Sequence, residues 1–90
     1  MAHTIKDKAK ITSRVNRLKG QLDAFLKGLE SEQDCYQNMQ LLASCRGALN
    51  GLMAEVVEGH IRDHIVEADN KKAAAESGEE LIDVMRSFLK

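Results

Sequence analysis

The chain has no proline and no tryptophan, and among its 90 residues only two phenylalanines, one tyrosine and two cysteines. Without proline, nothing forces a helix to stop or kink. The long stretches carry Leu, Ala, Lys, Glu, Gln and Met, a composition that points to an all-α protein, and no strand pattern competes with it. Cys35 and Cys45 are too few for a disulfide scaffold. The opening "MAHTIKDKAK" is too polar for a secretory h-region, so a reducing, cytoplasmic setting with free thiols is expected. No apolar run approaches membrane-spanning length, which excludes a helical membrane protein from this stretch of chain. A chain this short makes a single domain, residues 1–90, that buries a small share of its surface and is expected to gain stability by oligomerising.

The net charge of -1 conceals an asymmetry. Residues 1–20 hold six Lys or Arg against one acid, while residues 55–90 hold nine acids against five bases. At about 100° per residue, Lys6, Lys10, Arg14, Arg17 and Gln21 share one sector of a helix, a cationic track beside the apolar stripe. A solvated charged face is the plain reading of such a track. Few acids interrupt it, however, and oligomerisation would spread it over a surface able to follow a phosphate backbone. With no aromatic residues among the bases to stack on unpaired nucleobases, double-stranded DNA is the preferred partner.

Periodicity predicts three helices. The first runs from about Ile5 to Leu29 with Ile11, Val15, Leu18, Leu22, Phe25, Leu26 and Leu29 in a heptad-like rhythm, capped by Thr4 with Asp7 following. The second, capped by Ser31 or Asp34, carries Met39, Leu42, Leu49, Met53, Val56 and Val57 to about Ala68. "ADNKKAAAESG" reads as a weak helix end and linker. A short third helix then follows in "SGEELIDVMRSFLK", with Ser77 and Glu80 as its capping box and Leu81, Ile82, Val84, Met85, Phe88 and Leu89 free to dock. The first two helices form a long antiparallel hairpin turning near residues 32 and 33.

Two of the three histidines stand four apart in "VVEGHIRDHIVE". His60 and His64 lie within roughly 40° of each other on the second helix, in the sector of Leu42, Leu49, Met53 and Val57. Two imidazoles so spaced either chelate one metal ion or are buried and hydrogen-bonded. The protease pattern HExxH is absent, because position 61 is Ile. The hairpin would bring His3 opposite position 62, between the pair. Cys35 shares their face but lies roughly 38 Å up the helix, so it reaches them only from an antiparallel partner chain. That arrangement is a two-fold dimer with a four-helix bundle at its centre. One thiolate and three imidazoles suit Ni(II), Co(II) or Zn(II), whereas copper(I) would prefer more thiolates. Cys45 falls in another sector and reads as a small buried apolar residue.

The stretch "SCRGALNGLMAEVVEGHIRDH", Ser44 to His64, resembles the signature region of the CsoR/RcnR family of small all-helical transcriptional repressors. The opening "MAHTIKDKAKITSRVNRLKGQLDAF" and Cys35 extend that resemblance over nearly the whole chain. It implies three-helix protomers, dimers that pair into flat tetramers, and operator DNA bound without effector and released with it. His3, Cys35, His60 and His64 stand at the family's sensing positions, and this combination resembles its nickel- and cobalt-sensing branch, whose members control metal efflux. Copper and persulfide sensors carry a cysteine where this chain has His64. The formaldehyde sensors use an N-terminal proline, which this chain lacks, and stand as the alternative, with Cys35 as the reactive thiol. The resemblance carries DNA contact to Arg14 and Arg17, and further to Lys10 and Arg46. It also suggests that Gly47 and Gly51 permit close helix packing.

A metal-responsive repressor is therefore the leading expectation, with Ni(II) or Co(II) as effector and Zn(II) as a further candidate. Ligation at His3 would restrain the start of the helix that carries the cationic track. A helical metal-storage or delivery protein without DNA is the reading from another class. No nucleophile with a matching base and no phosphate loop point to an enzyme or a small-molecule substrate.

Overall fold

Helix α1 spans Lys8–Glu30 and helix α2 spans Cys35–Ile61; a π-helical turn, Arg62–Val66, continues α2, and helix α3 spans Lys71–Phe88. These elements come from a computed structural model that describes residues 7–89. His3, Thr4, Ile5 and Lys6 lie outside the described residues. The all-α, three-helix expectation holds, and among the described residues no helix is long and apolar enough to cross a membrane. The chain divides into two compact units, Asp7–Ala54 and the part from Glu55 onwards.

The first unit is an antiparallel helix hairpin. Gly28 of α1 meets Asn38 of α2, and Arg14 meets Gly51, so contacts pair symmetrically about the turn expected near residues 32 and 33. Along α1 every residue is exposed except Ile11, Arg14, Leu18, Gln21, Phe25 and Gly28. That is a heptad seam. It differs from the expected apolar stripe: Val15, Leu22, Leu26 and Leu29 are exposed, while Arg14 and Gln21 turn inward. The covered residues of α2 in this unit include Asn38, Leu41, Cys45, Ala48, Gly51 and Leu52, of which Cys45, Ala48 and Gly51 are small.

The turn closes with a Schellman arrangement. Gln33 N–H donates to the Gly28 carbonyl at 2.8 Å and Glu32 N–H to that of Leu29 at 3.3 Å. Glu32 takes the left-handed position, φ 55°, that glycine usually fills. Ser31 thus ends α1 rather than starting α2, its own N–H reaching back to Lys27 and Leu29. Asp7 stands at the N-terminus of α1 without a side-chain capping bond.

In the second unit α3 packs on the π-turn. Two expectations fail here. The helix begins at Lys71, capped by Asn70, whose side chain accepts from Ala73 N–H at 2.8 Å. Ser77 and Glu80 are consequently interior residues and form no capping box. The reason is that "KKAAAE" is strong helix former throughout, so a good cap ahead of it extends the helix through the expected linker, and Gly78 is carried along. Docking also uses the other end: Ala73, Ala74, Ser77, Gly78 and Leu81 are half-buried, whereas Ile82, Val84, Met85, Phe88 and Leu89 are exposed.

Cys45, at 7% exposure, is the one buried apolar residue among the described residues, in keeping with its expected role. Tyr36 is 62% exposed and Leu29 54%, with Met39, Leu42 and Leu49 in the same condition on α2. Among the described residues little apolar surface is covered, and small domains of this kind commonly gain stability by association.

Candidate functional site

His60 sits in the last turn of α2 and His64 inside the π-turn. Their rings are 5.3 Å apart, centre to centre, inclined by 48°. The π-turn widens the helix here, with Glu67 N–H reaching back five residues to the Arg62 carbonyl at 3.0 Å. Such single wide turns are rare and recur at functional sites, because they re-aim one side chain without ending the helix.

His60 Nε2 lies 2.9 Å from the carbonyl oxygen of Ser77 in α3. A carbonyl only accepts, so Nε2 carries the proton and the lone pair of a neutral ring is on Nδ1. This is how metal-ligating histidines are commonly held, with one nitrogen committed to a carbonyl and the other aimed. Nothing in the sequence marked Ser77 for that role, since the partner is its backbone and the residue itself reads as a cap. His60 is thus part-buried and hydrogen-bonded, and His64 lies part-buried beside it.

The other two expected ligands, His3 and Cys35, are not brought to this pair among the described residues. Among the described residues no three of His, Cys, Asp and Glu gather as a metal cluster, and His3 lies outside the described residues. Cys35 opens α2 and its thiol is free and exposed. One and two heptads further along are Leu42 and Leu49, both exposed.

The cationic track divides. Lys10 and Arg17 are exposed, as expected of a polyanion-binding face, but Arg14 is half-buried in the hairpin seam. A Cβ at position 51 would stand 2.9 Å from Arg14 Nη1, so the tip of the guanidinium comes up to the bare backbone of α2 at Gly51. Gln21 is also in the seam, and its buried Oε1 has no hydrogen-bond partner. The heptad spacing of Arg14, Gln21 and Gly28 was the signal for this placement. Arg46 is exposed, at helical spacing from the exposed Met39, Leu42 and Leu49. At position 47 a Cβ would meet no atom of the described residues within 4 Å, so among them Gly47 serves no close packing; Gly51 does.

A family profile described as "metal-sensitive transcriptional repressor" matches residues 7–87. The chain belongs to this family. Metal-sensitive transcriptional repressors are regulators, not enzymes, and the resemblance to the CsoR/RcnR family carried by residues 44–64 holds. The chain is 45% identical to an uncharacterised protein in the bioA 5′ region of Serratia marcescens, over 100% of both chains. It is 38% identical to the transcriptional repressor RcnR of Salmonella typhimurium, again over 100% of both. Among solved structures it is similar to a glutamate-to-histidine variant of the formaldehyde-responsive regulator FrmR from Salmonella enterica serovar Typhimurium, with a TM-score of 0.86, 38% identity and coverage of 92% of this chain and 94% of that one.

Proposed function

We propose that this metal-sensitive repressor answers to Ni(II) or Co(II): metal-free, it holds double-stranded operator DNA as a cytoplasmic homodimer or homotetramer, and with metal it lets go and metal efflux genes are expressed. The observation that carries this reading is the imidazole pair His60 and His64, 5.3 Å apart on a π-turn, with His60 oriented by the Ser77 carbonyl. His3 and Cys35 would complete the ligand set, Cys35 from a second chain. A nitrogen-rich set with one thiolate favours nickel and cobalt, with Zn(II) as a weaker competitor of closed geometry. The identity to RcnR supports the same branch.

Self-association is supported by the exposed apolar faces of α1 and α2, which only a second copy of similar helices would cover at matching length. Lys10, Arg14, Arg17 and Arg46 are the residues proposed to meet phosphates, making the whole chain, residues 1–90, one metal-sensing DNA-binding unit. By linkage, if metal weakens DNA affinity then DNA weakens metal affinity by the same factor.

The test is titration of a duplex from upstream of the gene with the protein, with and without saturating Ni(II) or Co(II). DNA affinity unchanged by either metal would sink the reading. The visible spectrum of the Co(II) complex reports thiolate ligation and separates four-coordinate from six-coordinate sites. A second reading, a formaldehyde-responsive repressor, is favoured by the exposed Cys35 thiol and by the FrmR variant's similarity. Release of the duplex by formaldehyde but not by metal, with a mass adduct at Cys35, would replace the first reading with this one.

A further inference from the structure

Glycine is unfavourable inside a helix relative to alanine. At Gly20, Gly47 and Gly78 a Cβ would meet no atom of the described residues within 4 Å, so no packing among those residues requires the missing side chain. Gly51 differs. Its Cβ would stand 2.9 Å from Arg14 Nη1 and 4.0 Å from Arg14 Cζ, inside the same helix hairpin. Arg14 is also the only charged residue of α1 that is half-buried, one turn from the exposed Lys10 before it and three residues from the exposed Arg17 after it.

An arginine on an open surface samples many rotamers and loses that freedom on meeting a phosphate. One whose guanidinium already rests on a helix backbone has lost much of it on folding, so its contact with an anion is stronger for the same geometry. A side chain at position 51 would stand where Arg14 Nη1 now approaches the backbone of α2, and glycine leaves that place open. We propose that Gly51 is a positioning residue for DNA binding: it seats Arg14 on α2, fixing the central guanidinium of the Lys10–Arg14–Arg17 track, so that the lie of α2 determines how that track meets the phosphate backbone. The inference rests on the DNA-binding reading above and adds a residue of the metal-sensing helix to the DNA-contacting one.

The decisive variant is Gly51→Ala. The added methyl meets the far end of a flexible side chain, which swings aside at small cost while the helix gains propensity, so the variant folds with a thermal midpoint at or above that of the parent. Its metal-free affinity for an upstream duplex is expected to fall about three- to tenfold, and the slope of log affinity against log salt to shrink by about 0.9, the value of one phosphate contact. Arg14→Ala should show the same lost slope, and the double variant no loss beyond Arg14→Ala alone. A Gly51→Ala protein with the parent's affinity and salt slope, alongside a weakened Arg14→Ala, would overturn the seat while leaving the DNA reading intact. An Arg14→Ala protein that binds as the parent does would overturn the seat and remove Arg14 from the DNA-contacting set, whereas a parent protein that binds no duplex would overturn the DNA reading itself. Independently of DNA, the Arg14 Nε–H resonance of the free protein should be protected from exchange and lose that protection in Gly51→Ala; a signal indifferent to the substitution overturns the seat whatever the duplex does.

Discussion

His60 Nε2 donates to the carbonyl of Ser77 at 2.9 Å, joining the last turn of α2 to the interior of α3 across 17 residues of sequence. Its Nε2 helps hold α3 in place, and Nδ1 of the same ring is the nitrogen left to the proposed ligand role. Whatever changes the position of that ring is felt in α3.

The two histidines should therefore separate by variant. His60→Ala is predicted to lower Co(II) affinity and also to speed amide hydrogen exchange across Lys71–Phe88, whereas His64→Ala lowers Co(II) affinity, by about 10-fold or more, and leaves exchange in α3 nearly as it was. Equal protection of α3 in the two variants would show that the Ser77 bond holds nothing.

The start of α3 can be tested at its cap. Asn70→Ala removes the acceptor for Ala73 N–H and is expected to destabilise the protein by about 1 kcal/mol. Ser77→Ala, at the residue that reads as a cap in the sequence, should change stability by less than about 0.5 kcal/mol, because its backbone carbonyl is kept. Denaturant midpoints in the reverse order would restore the shorter helix.

The hairpin turn offers two glycine exchanges of opposite sign. Glu32→Gly relieves a left-handed residue at φ 55° and should stabilise by about 1 kcal/mol. Gly28→Ala drives a methyl against the Asn38 side chain, which Gln33 Nε2 already holds at 3.1 Å, and should destabilise by about 1–3 kcal/mol. Chemical denaturation of both variants checks the pair, and a stable Gly28→Ala would mean that α1 and α2 approach less closely than the Gly28–Asn38 contact requires.

Arg46 distinguishes a DNA contact from a subunit contact. If it meets phosphate, Arg46→Ala keeps the oligomer measured by sedimentation and reduces the salt slope of duplex binding by about 0.9. If it serves the exposed Met39, Leu42 and Leu49 face instead, the oligomer weakens and DNA affinity falls only with it. The first outcome is predicted; the second would remove Arg46 from the DNA-contacting set.

Helix number, the antiparallel hairpin and the spacing of His60 and His64 were legible in the sequence because each depends on local periodicity and on a turn without competing signals. The family was legible too, since Ser44 to His64 carries its signature. The sequence alone determined that this is an all-helical regulator with an imidazole pair and a basic first helix. Tertiary structure decided the rest. It chose which of two heptad-spaced stripes on α1 faces α2, placing Arg14 and Gln21 inward, with Gly51 leaving room for the Arg14 tip. It also turned Ser77 from a cap into an acceptor for His60, because a cap at Asn70 lets an alanine-rich segment become helix and small residues let that helix come close. Such choices depend on what one helix meets on another, and no periodicity within a single helix records that.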